Sequence, residues 1–231
     1  MVSIRTFFLQ AFLFLPVRLP HLSTLSLLAA VLALAACGHT PVSRTVADAM
    51  GWGPGVDAIV LNPQLRYLRV SASGKPVLMV LGYEQATPSG LLETWYSNSG
   101  EVLQLRDGRL QSTAGLPLDW RAVRYKGLPD WAQLPGLGSA RFERERDEMP
   151  AYRFGLSETV LIKAVAAPRN ARLTGLPADA LAWYEETVQD RPYALASARY
   201  GVRRQDGQVV YGEQCLSPDF CIAWQTWPPR P

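Results

Sequence analysis

Residues 101–113 read Glu-Val-Leu-Gln-Leu-Arg-Asp-Gly-Arg-Leu-Gln-Ser-Thr. The Asp107-Gly108 pair is a strong two-residue hairpin signal, because the favoured hairpin turns need positive φ at residues that tolerate it. Short apolar-polar segments on both sides predict two antiparallel strands, Glu101 to Arg106 and Arg109 to Thr113. The same grammar extends outward. Leu65 to Ser71 alternates Leu68 and Val70 with Arg69, and Ser73-Gly74 supplies a turn. Val77 to Leu81 is continuously apolar, which predicts a strand buried on both faces. Leu92 to Ser97 runs into the turn Asn98-Ser99-Gly100, and Asp119 to Tyr125 is a further strand.

The second half repeats the pattern. Lys126 to Ser139 is rich in Gly and Pro and reads as an irregular loop. Residues 141–147 place Arg141, Glu143, Glu145 and Asp147 on one face of a strand, with Phe142, Arg144 and Arg146 on the other. Charge on both faces predicts a wet edge or a protruding hairpin. Ala151 to Leu156 and Glu158 to Ala166 follow, and Leu181 to Gln189 is ambiguous between helix and strand. Leu195 to Arg204, the turn Asp206-Gly207 and Gln208 to Gln214 form a last hairpin. Together these predict an all-β fold: antiparallel meander sheets forming a sandwich or an open half-barrel, with little helix.

The N-terminus carries an address. Leu27 to Ala36 is an unbroken apolar run, too short for a spanning helix and of the right length for a secretory signal. Arg5 and Arg18 make the leader positive, and the first acid of the chain is Asp48. The run ends in Leu34-Ala35-Ala36-Cys37, which resembles the lipobox of bacterial lipoproteins, where cleavage precedes a cysteine that carries diacylglycerol. The alternative is an N-terminal anchor that stays attached. Acyl chains contribute about 0.8 kcal/mol per buried methylene, so a lipidated Cys37 anchors the protein without spanning the membrane. Gly38 stands where an enterobacterial inner-membrane lipoprotein carries Asp, which favours the outer membrane. The expected organisation is a signal peptide at 1–36, a Pro- and Gly-containing tether at 37–54, and one β-rich domain at 55–231.

Composition removes whole classes of function. Without its leader the chain has 21 bases against 20 acids, which is no electrostatic basis for nucleic-acid binding. Its two histidines, His21 and His39, both precede the folded body, so Ser-His and Cys-His catalysis and imidazole metal sites are excluded there. No P-loop, no nucleophile elbow and no dinucleotide fingerprint occurs, so no cofactor or metal is expected. Cys215 and Cys221 flank Leu-Ser-Pro-Asp-Phe, and Pro218-Asp219 is a turn able to bring them together in an oxidising compartment. A structural disulfide is expected; a redox pair would more often be spaced C-x-x-C.

Candidate binding residues are aromatic or cationic. Trp131, in the Gly/Pro loop, is the best placed to stack on a sugar ring, while Trp95 and Tyr96 lie within a strand where core packing competes. Arg109, beside the hairpin turn, either closes the turn or contacts an anionic polymer or a partner. Paired acids for glycoside hydrolysis are restricted to Glu143 with Glu145 and Glu185 with Glu186. The first pair alternates with arginines as on a solvated strand, and no catalytic residue is assigned.

The order Tyr67-Leu-Arg-Val70, Val80-Leu-Gly82, Glu93-Thr-Trp-Tyr-Ser97, Leu105-Arg-Asp-Gly-Arg109 and Thr113-Ala-Gly-Leu116 resembles the YjbF-like lipoproteins encoded with group 4 capsule and exopolysaccharide genes. Arg199-Tyr-Gly-Val202, Asp206-Gly-Gln-Val209, Glu213-Gln214 and Ser217-Pro218 agree as a second block. The chain departs from the pattern at Gly201, where the family usually has tryptophan, and in its Cys215–Cys221 pair. The resemblance implies a non-enzymatic lipoprotein on the periplasmic face of the outer membrane, needed for capsule or exopolysaccharide production or secretion. Its partners would be the membrane, an outer-membrane β-barrel export protein and the polysaccharide itself. A polysaccharide hydrolase or lyase, and an envelope lipoprotein unrelated to glycans, are the alternatives.

Overall fold

The structure is a computed structural model that describes residues 55–72, 75–189 and 195–229. These residues all belong to one unit, Pro54–Pro231. Cys37, the leader, the tether and the turn Ser73-Gly74 lie outside the described residues.

Twelve strands form a single antiparallel sheet. They are β1 (Tyr67–Ala72), β2 (Lys75–Thr87), β3 (Gly90–Tyr96), β4 (Val102–Arg106), β5 (Arg109–Ala114) and β6 (Asp119–Lys126). The second half holds β7 (Ser139–Met149), β8 (Arg153–Val165), β9 (Leu181–Val188), β10 (Ala198–Arg203), β11 (Val209–Ser217) and β12 (Phe220–Trp227). Among the described residues the one α-helix is α1, a four-residue turn at Leu134–Leu137 that begins in the expected Gly/Pro loop. The ambiguous segment 181–189 is strand β9, and its alternating burial makes one face interior.

The spatial order β5-β4-β3-β2-β1-β12-β11-β10-β9-β8-β7-β6 joins two meanders through the first and last strands. The two edge strands are consecutive in the chain and face each other. Gln111 donates its side-chain amide to the Val123 carbonyl, Tyr125 Oη donates to the Leu110 carbonyl at 2.8 Å, and the Trp120 N–H reaches Thr113 Oγ1 at 3.0 Å. Side chains thus bridge the seam, and the sheet is a nearly closed barrel.

A barrel of twelve strands is wider than the eight whose side chains just fill the interior. Large side chains fill this one: Trp95, Trp120, Tyr200 and Leu105 are fully buried, and one continuous apolar cluster draws on nearly every strand. Gly212 makes room for such bulk, since a Cβ there would lie 2.4 Å from the Trp224 ring. A second, outer cluster of Leu181, Trp183, Val210 and Tyr211 is covered by the segment after β8. That cover is held by Arg172 N–H to Tyr211 Oη (3.0 Å) and by paired bonds between Thr174 and Gln225. Gly201 lies beneath it, where a Cβ would meet Leu181 Cδ1 at 2.7 Å; the outer cluster occupies the space a tryptophan would need.

Two strands depart from expectation. Val77–Leu81 is not buried on both faces: Met79 is buried, but Val77 is 38 % exposed. A barrel strand has one inner and one outer face, and here an apolar side chain is left on the outer one. Residues 141–147 are not a wet edge. They belong to β7, paired on both sides by β6 and β8. The expected division of faces holds, yet Phe142, Arg144, Arg146 and Glu148 all point inward and are buried.

Candidate functional site

In an up-and-down barrel, every connection that follows an even-numbered strand lies at the same end. Here that end gathers the β2–β3 turn, the Asp107-Gly108 turn, the segment 127–131 and the β10–β11 turn around a cleft of about 730 Å³. Asp107 (φ 46°) and Gly108 (φ 77°) both adopt the positive φ that a type I′ turn requires. Glycine is needed at 108 for a second reason: a Cβ there would lie 2.3 Å from Val209 Cβ.

The expected residue Arg109 lies on the cleft wall and is only 2 % exposed. Its Nε donates to Glu186 Oε1 at 2.9 Å, and its guanidinium stacks 3.5 Å above the Trp131 ring. Its Nη2 has no hydrogen-bond partner. Trp131 also lines the cleft, but it is 8 % exposed and packs against Tyr184 and Tyr200. Its indole N–H donates to the Asp107 carbonyl at 2.8 Å, which pins the loop to the hairpin turn. The indole is therefore a wall element with a guanidinium on its face. It is not the exposed stacking platform expected of a loop tryptophan.

Trp95 and Tyr96 do not join this pair. Trp95 is buried in the interior, and Tyr96 is exposed on the outer face, its ring lying where a Cβ on Gly82 would fall. Cys215 and Cys221 are directly opposed in the β11–β12 hairpin and form the disulfide, at the opposite end of the barrel from the cleft.

Three charged residues at the site, Arg106, Arg66 and Glu93, escaped sequence reasoning, and a fourth, Glu186, entered it only as a candidate hydrolytic acid. Arg106 donates from Nη1 to Ser89 Oγ at 2.9 Å; its Nε is buried without a partner, and it makes no ion pair among the described residues. Arg66, at the mouth, pairs with Glu84 and Glu93. Burial pushes the Glu93 carboxyl above its ordinary value despite the neighbouring Arg66. Glu186 is buried beneath Arg109, with Tyr200 Oη 3.5 Å from its second oxygen. Burial and this carboxylate raise the Tyr200 hydroxyl well above the ordinary tyrosine range. Of the three that escaped, only Arg106 carried a signal, as the first arginine of the Arg-Asp-Gly-Arg run.

The candidate hydrolytic acids do not converge. Glu143 and Glu145 lie on the outer face, paired with Lys126 and Arg124. Glu185 pairs outside with Arg199, while its neighbour Glu186 turns inward to Arg109. Among the described residues no group of three His, Cys, Asp or Glu side chains comes together to hold a metal ion. No helix there is long and apolar enough to cross a membrane.

The sequence profile of the family described as group 4 capsule polysaccharide lipoprotein gfcB, YjbF matches residues 59–224. The chain belongs to this family. A crystal structure titled as the hypothetical lipoprotein YmcC from Escherichia coli (K12) shares the fold, with a TM-score of 0.56 and 19 % identity over 84 % of this chain and 98 % of that one. Curated protein sequences give no match. Membership places the YjbF-family chain among lipoproteins of the cell envelope connected with capsule polysaccharide.

Proposed function

We propose that the protein is held by a lipid on Cys37 at the periplasmic face of the outer membrane. There it serves, without catalysis, as an accessory in the production or secretion of capsule or exopolysaccharide. The observation that carries this reading is the family match across residues 59–224. The lipobox-like Leu34-Ala35-Ala36-Cys37 supports the anchor. The outward pairing of Glu143, Glu145 and Glu185 supports an accessory over a glycosidase, because two carboxylates must face one bond about 5–9.5 Å apart. The partners are the membrane, through the lipid, and an outer-membrane β-barrel export protein or the glycan itself.

A deletion strain scored for surface polysaccharide tests the reading. Loss of polymer, restored by the wild-type protein and not by Cys37→Ala, is the expected result. Normal polymer in the deletion strain overturns the role; normal polymer with Cys37→Ala overturns the need for the anchor. Shortening of the polymer by the purified protein would replace the accessory role with a hydrolytic one.

A further inference from the structure

We infer that the cleft at the Asp107-Gly108 end is a saccharide subsite, which reads the hydroxyls of a short segment of the polymer; the identity of that ligand rests on the function proposed above. Size is the first argument. About 730 Å³ lies within the roughly 300–1,000 Å³ typical of ligand clefts.

The wall chemistry is the second. Such clefts are usually mostly apolar, but this one carries three arginines (Arg66, Arg106, Arg109) and three acids (Glu93, Asp107, Asp130). The charges balance, so the cleft has no net field to concentrate a free ion. What it offers is donors and acceptors side by side. Guanidinium and carboxylate groups are planar and bidentate, a geometry that matches vicinal hydroxyls, each of which both donates and accepts.

The third argument is the state of the donors. Arg106 Nε and Arg109 Nη2 are buried on residues of the cleft wall and have no partner. An unpaired buried donor is costly, and a small shift of either guanidinium toward the cleft would let a hydroxyl oxygen of the ligand relieve that cost. On the acceptor side, Asp107 and Asp130 are exposed and make no ion pair among the described residues. Stacking is not the mode of recognition here, because the Trp131 face is already taken by the Arg109 guanidinium. Recognition falls to hydrogen bonds, and glycines 127 and 207, beside open space at the cleft, let a ligand approach the backbone closely.

The test uses the mature full-length lipoprotein in detergent micelles. The probe is the host's own surface polysaccharide, hydrolysed to fragments of two to four sugars, with inorganic phosphate as the second arm. Titration calorimetry is expected to show saturable binding of the fragments. Arg106→Gln, which removes a half-buried and ion-pair-free guanidinium, should weaken it roughly tenfold, the loss of one charge-assisted hydrogen bond. Gln208→Trp, an exposed change on the rim, should block binding while the fold is retained. Absence of fragment binding, or binding indifferent to both variants, overturns the site. Phosphate competing with the fragments overturns the hydroxyl reading in favour of an anion site. If the deletion strain loses polymer while the purified protein binds no fragment, the subsite fails and the accessory role stands.

Discussion

Two groups of buried charge sit inside the barrel, and they are wired differently. In the first, all three guanidinium nitrogens of Arg144 are engaged: Nε and Nη2 with Glu158 Oε2 at 3.0 and 2.8 Å, and Nη1 with Gln214 Oε1 at 3.3 Å. Arg146 joins Glu148 at 2.8 Å and also pairs with Glu158, while Arg153 reaches Glu148 from outside. The guanidinium groups of Arg144 and Arg146 lie 5.1 and 4.8 Å from the Trp120 ring. In the second group, Arg109 has one carboxylate partner, Glu186, keeps an orphan Nη2 and lines the cleft. Buried ion pairs survive when geometry and extra hydrogen bonds offset desolvation. The first group meets that condition from within the protein. The second meets it in part and leaves a donor over at the ligand-sized opening. The lesson is that similar buried arginines differ in role according to whether their hydrogen bonds are completed internally.

Breaking the sealed group should have the largest effect. Glu158→Ala leaves Arg144 in the interior without a carboxylate and Arg146 with Glu148 alone, and a loss of about 3–5 kcal/mol is expected in urea unfolding. Glu186→Gln should cost less, about 1.5–3 kcal/mol, because the amide oxygen still accepts from Arg109 Nε. If the two costs prove equal, the contrast between the groups fails.

Titration sharpens the contrast further. For Glu158, burial works against the charge, but Arg144 and Arg146 outweigh it and lower the pKa below its ordinary 4.5. Its stability contribution is therefore present above the unfolded value and lost as pH falls through the folded one. Glu93, in the cleft, has the opposite sign. Burial raises its pKa, so the folded form holds the proton more tightly, and stability declines as pH rises from the unfolded value through the raised one. Unfolding free energy followed from pH 3 to 7 should show a shallower acid-side slope in Glu158→Gln, where Asp147 and Glu101 still contribute, and a steeper one in Glu93→Gln, which removes the opposing contribution. The smallest effect is expected for Arg106→Gln, which should leave stability within about 0.5 kcal/mol while weakening fragment binding. A larger destabilisation would mean that Arg106 is as structural as Arg144.

Much of the fold could be read from the chain. The Asp107-Gly108 and Asp206-Gly207 turns mark two hairpins, and the alternation in residues 141–147 assigns each side chain to its observed face. That alternation could not say which face is wet. Charge on both sides of a strand ordinarily means solvent on both, and β7 is an exception because the wide interior supplies Arg144 and Arg146 with partners from β8 and β11. Trp131 fails in the complementary way. A tryptophan in a Gly/Pro loop reads as exposed, but the loop folds back over the hairpin turn and its indole N–H finds the Asp107 carbonyl. The site was legible at Arg109 and Trp131 as single residues but not as a pair with Glu186 beneath it, since Glu186 and Trp131 lie 77 and 22 residues from Arg109 along the chain.

By itself the sequence determined the all-β class, the strand punctuation, the cysteines able to pair and the exclusion of histidine chemistry. Each of these depends on local periodicity, on turn residues or on composition. Tertiary structure alone decided that two meanders close through β1 and β12 into one barrel, that charges line its interior, and that four separate connections meet around a cleft. Those outcomes rest on contacts between residues far apart in the chain, whose energies no local pattern encodes.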